Sequence, residues 1–254
     1  MSEKSAIEWT DATWNPTTGC TKISPGCAHC YIERTPPFRI HRRTFVNGYI
    51  PVELHWDRVD TPMHWTKPKH IFVDSLSDLF HEDIPDHFIS SVYITMEATP
   101  RHVYQVLTKR PERMRTIVNQ RRSDATKRAH VWHGVSVENK AFLWRIDMLR
   151  QTSSAIRFLS IEPLLQDLGD INLSGIALVI VGGESGPHRR PTNPDWVRSV
   201  RDQCVAAGVA FFFKQWGGRT PKSGGRELDG RTWDDMPHSQ SRSTERTGAD
   251  PKST

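Results

Sequence analysis

The sequence predicts an α/β fold, an incomplete (β/α)6-type TIM barrel with parallel strands and a cysteine loop at its mouth. Three observations carry this. Six short runs rich in β-branched and aromatic residues, at 70–73, 103–107, 131–135, 156–161, 177–181 and 209–213, are almost continuously apolar, as strands are when a parallel sheet is covered on both faces. Helical patterns separate them, which makes the connections right-handed βαβ crossovers. Nearly every run is followed at once by polar residues. Barrel enzymes build their sites there, at the carboxyl ends of many strands, whereas a doubly wound sheet concentrates function at one switch point.

Each element has its own signal. Phe88, Ile89, Val92, Tyr93 and Met96 share one face at helical spacing, as do Phe142, Leu143, Ile146 and Leu149. A third helix takes Asn193 as N-cap and Pro194 at its first position, turns Trp196, Val197, Val200 and Cys204 inward, and stops at Gly208. The polar clusters after the strands are Asp74-Ser75-Leu76-Ser77-Asp78, Thr108-Lys109-Arg110, Ser136-Val137-Glu138-Asn139, Glu162, Gly182-Gly183-Glu184-Ser185 and Lys214-Gln215.

A chain of 254 residues suits one main domain. We expect a partial barrel over 1–218, interrupted at 31–69 by a basic and aromatic insertion. At 219–254 follows a polar tail, docked in part through Leu228, Trp233 and Met236 and disordered from Pro237 onward. Hydrophobic residues make up 36% and charged residues 25%, and no apolar run approaches the roughly 18 residues of a membrane span. The polar start lacks the apolar segment of a secretion signal, so the expected location is cytoplasmic. The net charge of +5 is uneven, with eight Lys and Arg against two acids between Lys109 and Arg128. That stretch is either an anion-attracting patch or a solvated helix face.

Cys20, Cys27 and Cys30 lie together in a turn-rich segment with Gly19, Pro25 and Gly26. Reduced thiols clustered this way point to a metal. Two residues between Cys27 and Cys30 let their thiolates reach one metal or adjacent irons, and the six-residue gap after Cys20 brings round a third. Zinc held by the three cysteines with His29 or a distant histidine is the alternative, giving a zinc-stabilised nucleic-acid-binding module without catalysis. Cys204, on a predicted inward helix face, reads as packing. Three thiolates on a [4Fe-4S] cubane leave one iron open. In radical enzymes that iron is chelated by the amino and carboxylate groups of S-adenosyl-L-methionine, and its reductive cleavage generates a 5′-deoxyadenosyl radical.

The chain resembles a family of phage and prophage proteins with a three-cysteine motif and no assigned function, related to the radical S-adenosylmethionine (radical SAM) superfamily. The resemblance runs from Trp9-Thr10-Asp11-Ala12-Thr13-Trp14-Asn15-Pro16 through the stretches 74–81, 105–114, 135–139, 160–165, 181–186 and 212–217 to Leu228-Asp229-Gly230-Arg231-Thr232-Trp233. It departs from the common signature of the superfamily, which has three residues between its first two cysteines and an aromatic before the third; here there are six, and His29. Gly182-Gly183-Glu184 also follows a late strand, where the superfamily's glycine-rich motif follows the second. The resemblance implies an iron–sulfur enzyme with Cys20, Cys27 and Cys30 as metal ligands. It implies Ser75, Ser77 and Asp78 for the methionine amino group, Ser136 and Glu138 for the ribose, and Glu162, Gly182, Gly183 and Glu184 for adenine or substrate. Lys109 and Arg110 would take the methionine carboxylate or a substrate phosphate.

The insertion carries Arg34, Arg39, Arg42, Arg43, Lys67 and Lys69 among Phe38, Phe45, Tyr49, Trp56 and Trp65. Such interleaving suits a nucleotide or nucleic-acid substrate, with packing on the barrel as the competing use of the aromatics. A protein partner that completes the substrate pocket is a further candidate.

Overall fold

In the computed structural model, residues 4–121 and 128–237 are described, and the elements named are those found among them. Seven strands form one parallel, curled sheet: β1 (Ala12–Trp14), β4 (His70–Val73), β5 (Val103–Thr108), β6 (Val131–Ser136), β7 (Arg157–Ile161), β8 (Leu178–Gly182) and β9 (Ala210–Gln215), hydrogen-bonded in that order. Helices α2 (Asp86–Ala98), α3 (Pro111–Gln120), α4 (Trp144–Arg150) and α5 (Pro194–Ala207) return the chain between strands. The result is the half-barrel of an incomplete TIM fold, and among the described residues no helix is long and apolar enough to cross a membrane.

The six strands read from the sequence are all present, and β1 is added at the edge, pairing Ala12 with Ile71 and Trp14 with Val73. Three residues among polar neighbours leave no periodicity to detect. A second difference lies in the cysteine segment, expected to be a loop. Its first half is strand β2 (Thr17–Thr21), which pairs antiparallel with β3 (Tyr49–Leu54), Cys20 opposite Ile50. The insertion therefore supplies the strand that holds the first cysteine, and carries helix α1 (Pro36–Ile40) besides. A third difference is the β7–β8 connection, where Pro163, Gly169 and Gly175 interrupt helix formation; Leu164, Leu168, Ile171, Leu173 and Ile176 are nevertheless buried.

Alternation along the strands sorts side chains onto two faces. The outer face, with Val73, Val106, Val135, Ile161, Val181 and Phe213, packs under Phe88, Val92, Met114, Leu149 and Val200 of the helices. The inner face, with Phe72, Trp132, Phe158, Leu178, Ile180 and Phe212, closes around Trp9 of the N-terminal segment. Burial of both faces explains why the strands read as unbroken apolar runs. Helix α5 follows its sequence signals: the Asn193 side chain accepts from the Asp195 N–H, and Gly208 ends the helix at φ 64°. Cys204 is fully buried in the outer core.

The open edge of β9 is met by the C-terminal segment, with Phe213 N–H donating to Trp233 O at 2.9 Å, and Leu228 is fully buried. The expected disorder concerns Pro237 onward; apart from Pro237 itself, that stretch lies outside the described residues.

Candidate metal centre and the barrel mouth

The inner face continues upward past the last apolar layer into chemistry. Lys109, Ser136 and Ser160 stand one step above Leu107, Gly134 and Phe158, and Glu138 and Glu162 one step above those, at the carboxyl rim. Glu184 and Lys214 follow β8 and end β9. The cysteine segment is laid across this rim and tied to it at three strand ends.

After β4, Gly19 N–H donates to Leu76 O at 3.1 Å, the Ser77 hydroxyl to Gly19 O at 2.7 Å and the Tyr31 hydroxyl to Ser75 O. The Asn15 side chain accepts from the Ser75 hydroxyl and Leu76 N–H. After β6, the Ser24 hydroxyl donates to Glu138 Oε1 at 2.6 Å, and Gly26 lies so close that a Cβ there would stand 2.5 Å from the Glu138 side chain. After β8, Glu184 pairs with His29 at 3.1 Å and with Arg190, which also donates to Pro25 O at 3.0 Å.

The sequence-derived site residues are gathered here, with their side chains already engaged. Asp78 accepts from the Thr108 hydroxyl at 2.7 Å and the Lys109 N–H at 3.0 Å, and pairs with Arg110 at 3.2 Å. Glu138, fully buried, pairs with Arg145 at 3.0 Å and Lys109 at 3.5 Å. Glu162 pairs with Lys214 at 2.6 Å, beside Gly182. Gly183 lies against Trp216, where a Cβ would fall 2.0 Å from the carbonyl oxygen. Ser136 uses its backbone oxygen for Arg145. Its hydroxyl and that of its register partner Ser160 have no hydrogen-bond partner among the described residues.

Burial raises the Cys20 thiol to about 12, with Asp78 adding to it and Arg110 opposing. Burial raises Cys30 as well. The bare Cys20 and Cys30 sulfurs are therefore neutral thiols at neutral pH, and a cation must displace their protons. Compensating charge is at hand. Arg110 Nη1 lies 4.0 Å from Cys20 Sγ. Burial disfavours the Lys109 ammonium, yet Glu138 and the Cys27 and Cys30 sulfurs outweigh it and raise its pKa. Burial likewise opposes ionisation of Glu184, but hydrogen bonds from Arg190 and His29 prevail and hold it down to about 2. It is an ionised acceptor and no proton donor at neutral pH.

Among the described residues no group of three or more His, Cys, Asp or Glu side chains is placed to hold a metal ion. His29, the nearby fourth donor of the zinc alternative, is turned to Glu184. By the chemistry of the donor set, and not by their mutual placement, three free sulfurs with Arg110 and Lys109 beside them suit a thiolate-bound cluster, whose charge must be offset in a partly buried setting.

Residues 4–237 match the family described as protein of unknown function, DUF5131. The chain belongs to that family. No curated protein matches this DUF5131 chain. Among solved structures, it is similar to spore photoproduct lyase complexed with dinucleoside spore photoproduct, at 14% identity and TM-score 0.41 over 74% of this chain and 58% of that one. A tyrosine-to-phenylalanine mutant of the lyase is similar at 13% identity and TM-score 0.41, over 74% and 59%. The DUF5131 chain thus spans less than two thirds of the lyase, and likeness at this level carries no information about the site.

Sequence reading missed Ser24, Arg145 and Arg190. Arg145 sits on a helix among apolar neighbours without a signal that it is buried, Ser24 acts through Glu138 far away in the chain, and Arg190 joins the nearby Glu184 to the distant Pro25. The basic stretch at 109–128 is not one patch: Lys109, Arg110, Arg113 and Arg121 are each in ion pairs and Arg128 is buried. Arg122, Asp124 and Lys127 lie outside the described residues. The insertion divides as well. Phe38 and Trp65 are core, Arg43 pairs with Glu53, and Lys67 and Lys69 precede β4 at the opposite end of the sheet.

Proposed function

We propose that this chain is a radical S-adenosylmethionine enzyme of cytoplasmic type, holding a [4Fe-4S] cluster through Cys20, Cys27 and Cys30 and acting on a nucleotide or nucleic acid. The observation that carries this is the placement of the three cysteines, on a segment fastened across the carboxyl rim of a parallel half-barrel with Arg110 and Lys109 turned toward their sulfurs. S-adenosylmethionine bound at the open iron would supply a 5′-deoxyadenosyl radical for hydrogen abstraction. The chain's own task is to hold and insulate. Arg110 and Lys109 would offset thiolate charge on the three sulfurs, in a setting where burial otherwise keeps Cys20 and Cys30 protonated. Glu138 and Glu184 fix the cysteine segment in position through Ser24 and His29. The Ser136 and Ser160 hydroxyls offer donors and acceptors to a ligand's polar atoms just below.

Anaerobically purified protein is expected to be brown and to contain about four irons and four sulfides per chain. With reductant it should convert S-adenosylmethionine to 5′-deoxyadenosine and methionine. Cys20→Ala should abolish the iron and leave the circular dichroism unchanged, whereas Cys204→Ser should retain the iron. Colourless protein with one zinc per chain, or a four-iron protein that never forms 5′-deoxyadenosine, refutes the reading.

A further inference from the structure

Two stretches of chain far apart in sequence meet beside the cysteine segment. Arg34 follows the last cysteine on a short helical turn, and its Nη2 donates to Ser185 O at 2.9 Å. Its guanidinium lies against Gly186, which has φ 130° and where a Cβ would stand 2.1 Å from Nη1. Any side chain at Gly186 would be strained and would also displace Arg34. That contact joins the stretch that leads into α1 to the loop after β8, beside the cysteine segment.

The border so joined is basic by more than composition. The stretches 29–43 and 184–190 carry six arginines and two acids. Both acids are spent inward: Glu33 accepts from Phe45 N–H at 2.8 Å, and Glu184 is buried with Arg190 and His29. Arg43 and Arg190 are consumed by Glu53 and Glu184. Arg34, Arg39, Arg42 and Arg189 remain exposed, and none of them is in an ion pair among the described residues. Four guanidinium groups without a counter-ion, carried on two stretches joined at Arg34 and Gly186, raise the local potential, which an anion with several spaced charges relieves. Next to them stands Tyr31, 47% exposed and fastened by its hydroxyl to Ser75 O. A tethered aromatic ring presented to solvent is a stacking platform for a flat apolar face, at little entropic cost.

We propose that this border is a track for a single-stranded nucleic acid, with Arg34, Arg39, Arg42 and Arg189 on its phosphates and Tyr31 under a base at the mouth. Arginine suits phosphate through paired N–H donors, and stacking supplies what a small polyanion would not use. The inference deepens the substrate class of the reading above and rests on it for why a strand is brought there. Binding itself needs neither iron nor S-adenosylmethionine.

The test is fluorescence anisotropy of a short dye-labelled DNA strand with the full-length protein, over a salt series, with RNA, duplex and poly-glutamate as competitors. Arg189→Ala and Arg39→Ala touch no partner, so their folding should be unchanged, as circular dichroism would verify. Together they should weaken binding at least about tenfold at low salt and lower the salt slope by about 1.4, from roughly 0.7 per phosphate contact on a single strand. Tyr31→Leu should weaken binding severalfold at every salt concentration with the slope unchanged. Lys67→Ala removes an exposed charge preceding β4, at the far end of the sheet, and should stay within about twofold of wild type. Equal losses for Lys67→Ala and Arg189→Ala, or competition by poly-glutamate as effective as by DNA, would overturn the track. If the strand binds through the rim but the protein cannot be loaded with iron and sulfide under anaerobic conditions, the radical reading falls and the track stands.

Discussion

Glu138 offers the sharpest test of how the mouth is built. Its carboxylate is fully buried and serves three donors: Arg145 at 3.0 Å, Lys109 at 3.5 Å and the Ser24 hydroxyl at 2.6 Å. Arg145 is itself only 1% exposed, and burial already lowers its pKa. Glu138→Gln keeps the volume and the Ser24 contact but removes the charge, leaving a guanidinium in the interior without its counter-ion. Breaking a buried pair from one side costs about 3–5 kcal/mol. Lys109 lies nearer the surface, so the lower part of that range applies, about 3 kcal/mol, or roughly a hundredfold in the folding equilibrium. Urea denaturation followed by fluorescence and circular dichroism should show the midpoint fall at constant slope. The double variant Glu138→Gln with Arg145→Met should recover at least about 1 kcal/mol of the loss, since it removes both charges. A loss below about 0.5 kcal/mol, or strict additivity in the cycle, would refute the structural role and return Glu138 to ligand binding, where the ribose assignment had placed it.

Two further outcomes are expected. Asp74 is buried at φ 55°, accepts from Thr17 N–H at 3.0 Å through one oxygen, and has its other oxygen unpartnered. Burial lifts its carboxyl from 3.8 to about 8. The folded state therefore binds a proton that the unfolded state has released, and this group's contribution to stability falls as pH rises from about 4 to about 8. Asp74→Asn should gain on wild type steadily across that interval in urea titrations at several pH values; a constant difference would contradict the assignment. Gly183→Ala places a methyl 2.0 Å from Trp216 O, and relief requires the β8 and β9 loops to part. Calorimetry should show a loss of about 3 kcal/mol or more; an unchanged melting temperature would mean that these loops are not packed as described.

The strands and helices were legible because their signals are local. A run of apolar residues, a periodic helix face, Asn193 before Pro194 and Gly208 after the last turn each act within a few residues. The half-barrel followed from their alternation. Strand β1 escaped because an edge strand of three residues owes its existence to its partner β4. Strand β2 escaped because its threonines and Cys20 become a strand only when β3, about thirty residues on, lies opposite.

The candidate site divides in the same way. Spacing within one segment marked Cys20, Cys27 and Cys30, and position after a strand marked Ser75, Asp78, Lys109, Glu138 and Glu184. What those residues do was decided by contacts that spacing cannot encode. Ser24 meets Glu138 across 114 positions, His29 meets Glu184 across 155, and Pro25 accepts from Arg190 across 165. Such pairs form only after the sheet has curled and carried its carboxyl ends to a common rim. The order of residues determined that a sulfur-rich segment would face a parallel sheet. The curvature of that sheet decided which charges would be buried together, because a charge deep in the fold is tolerated only where folding delivers its partner.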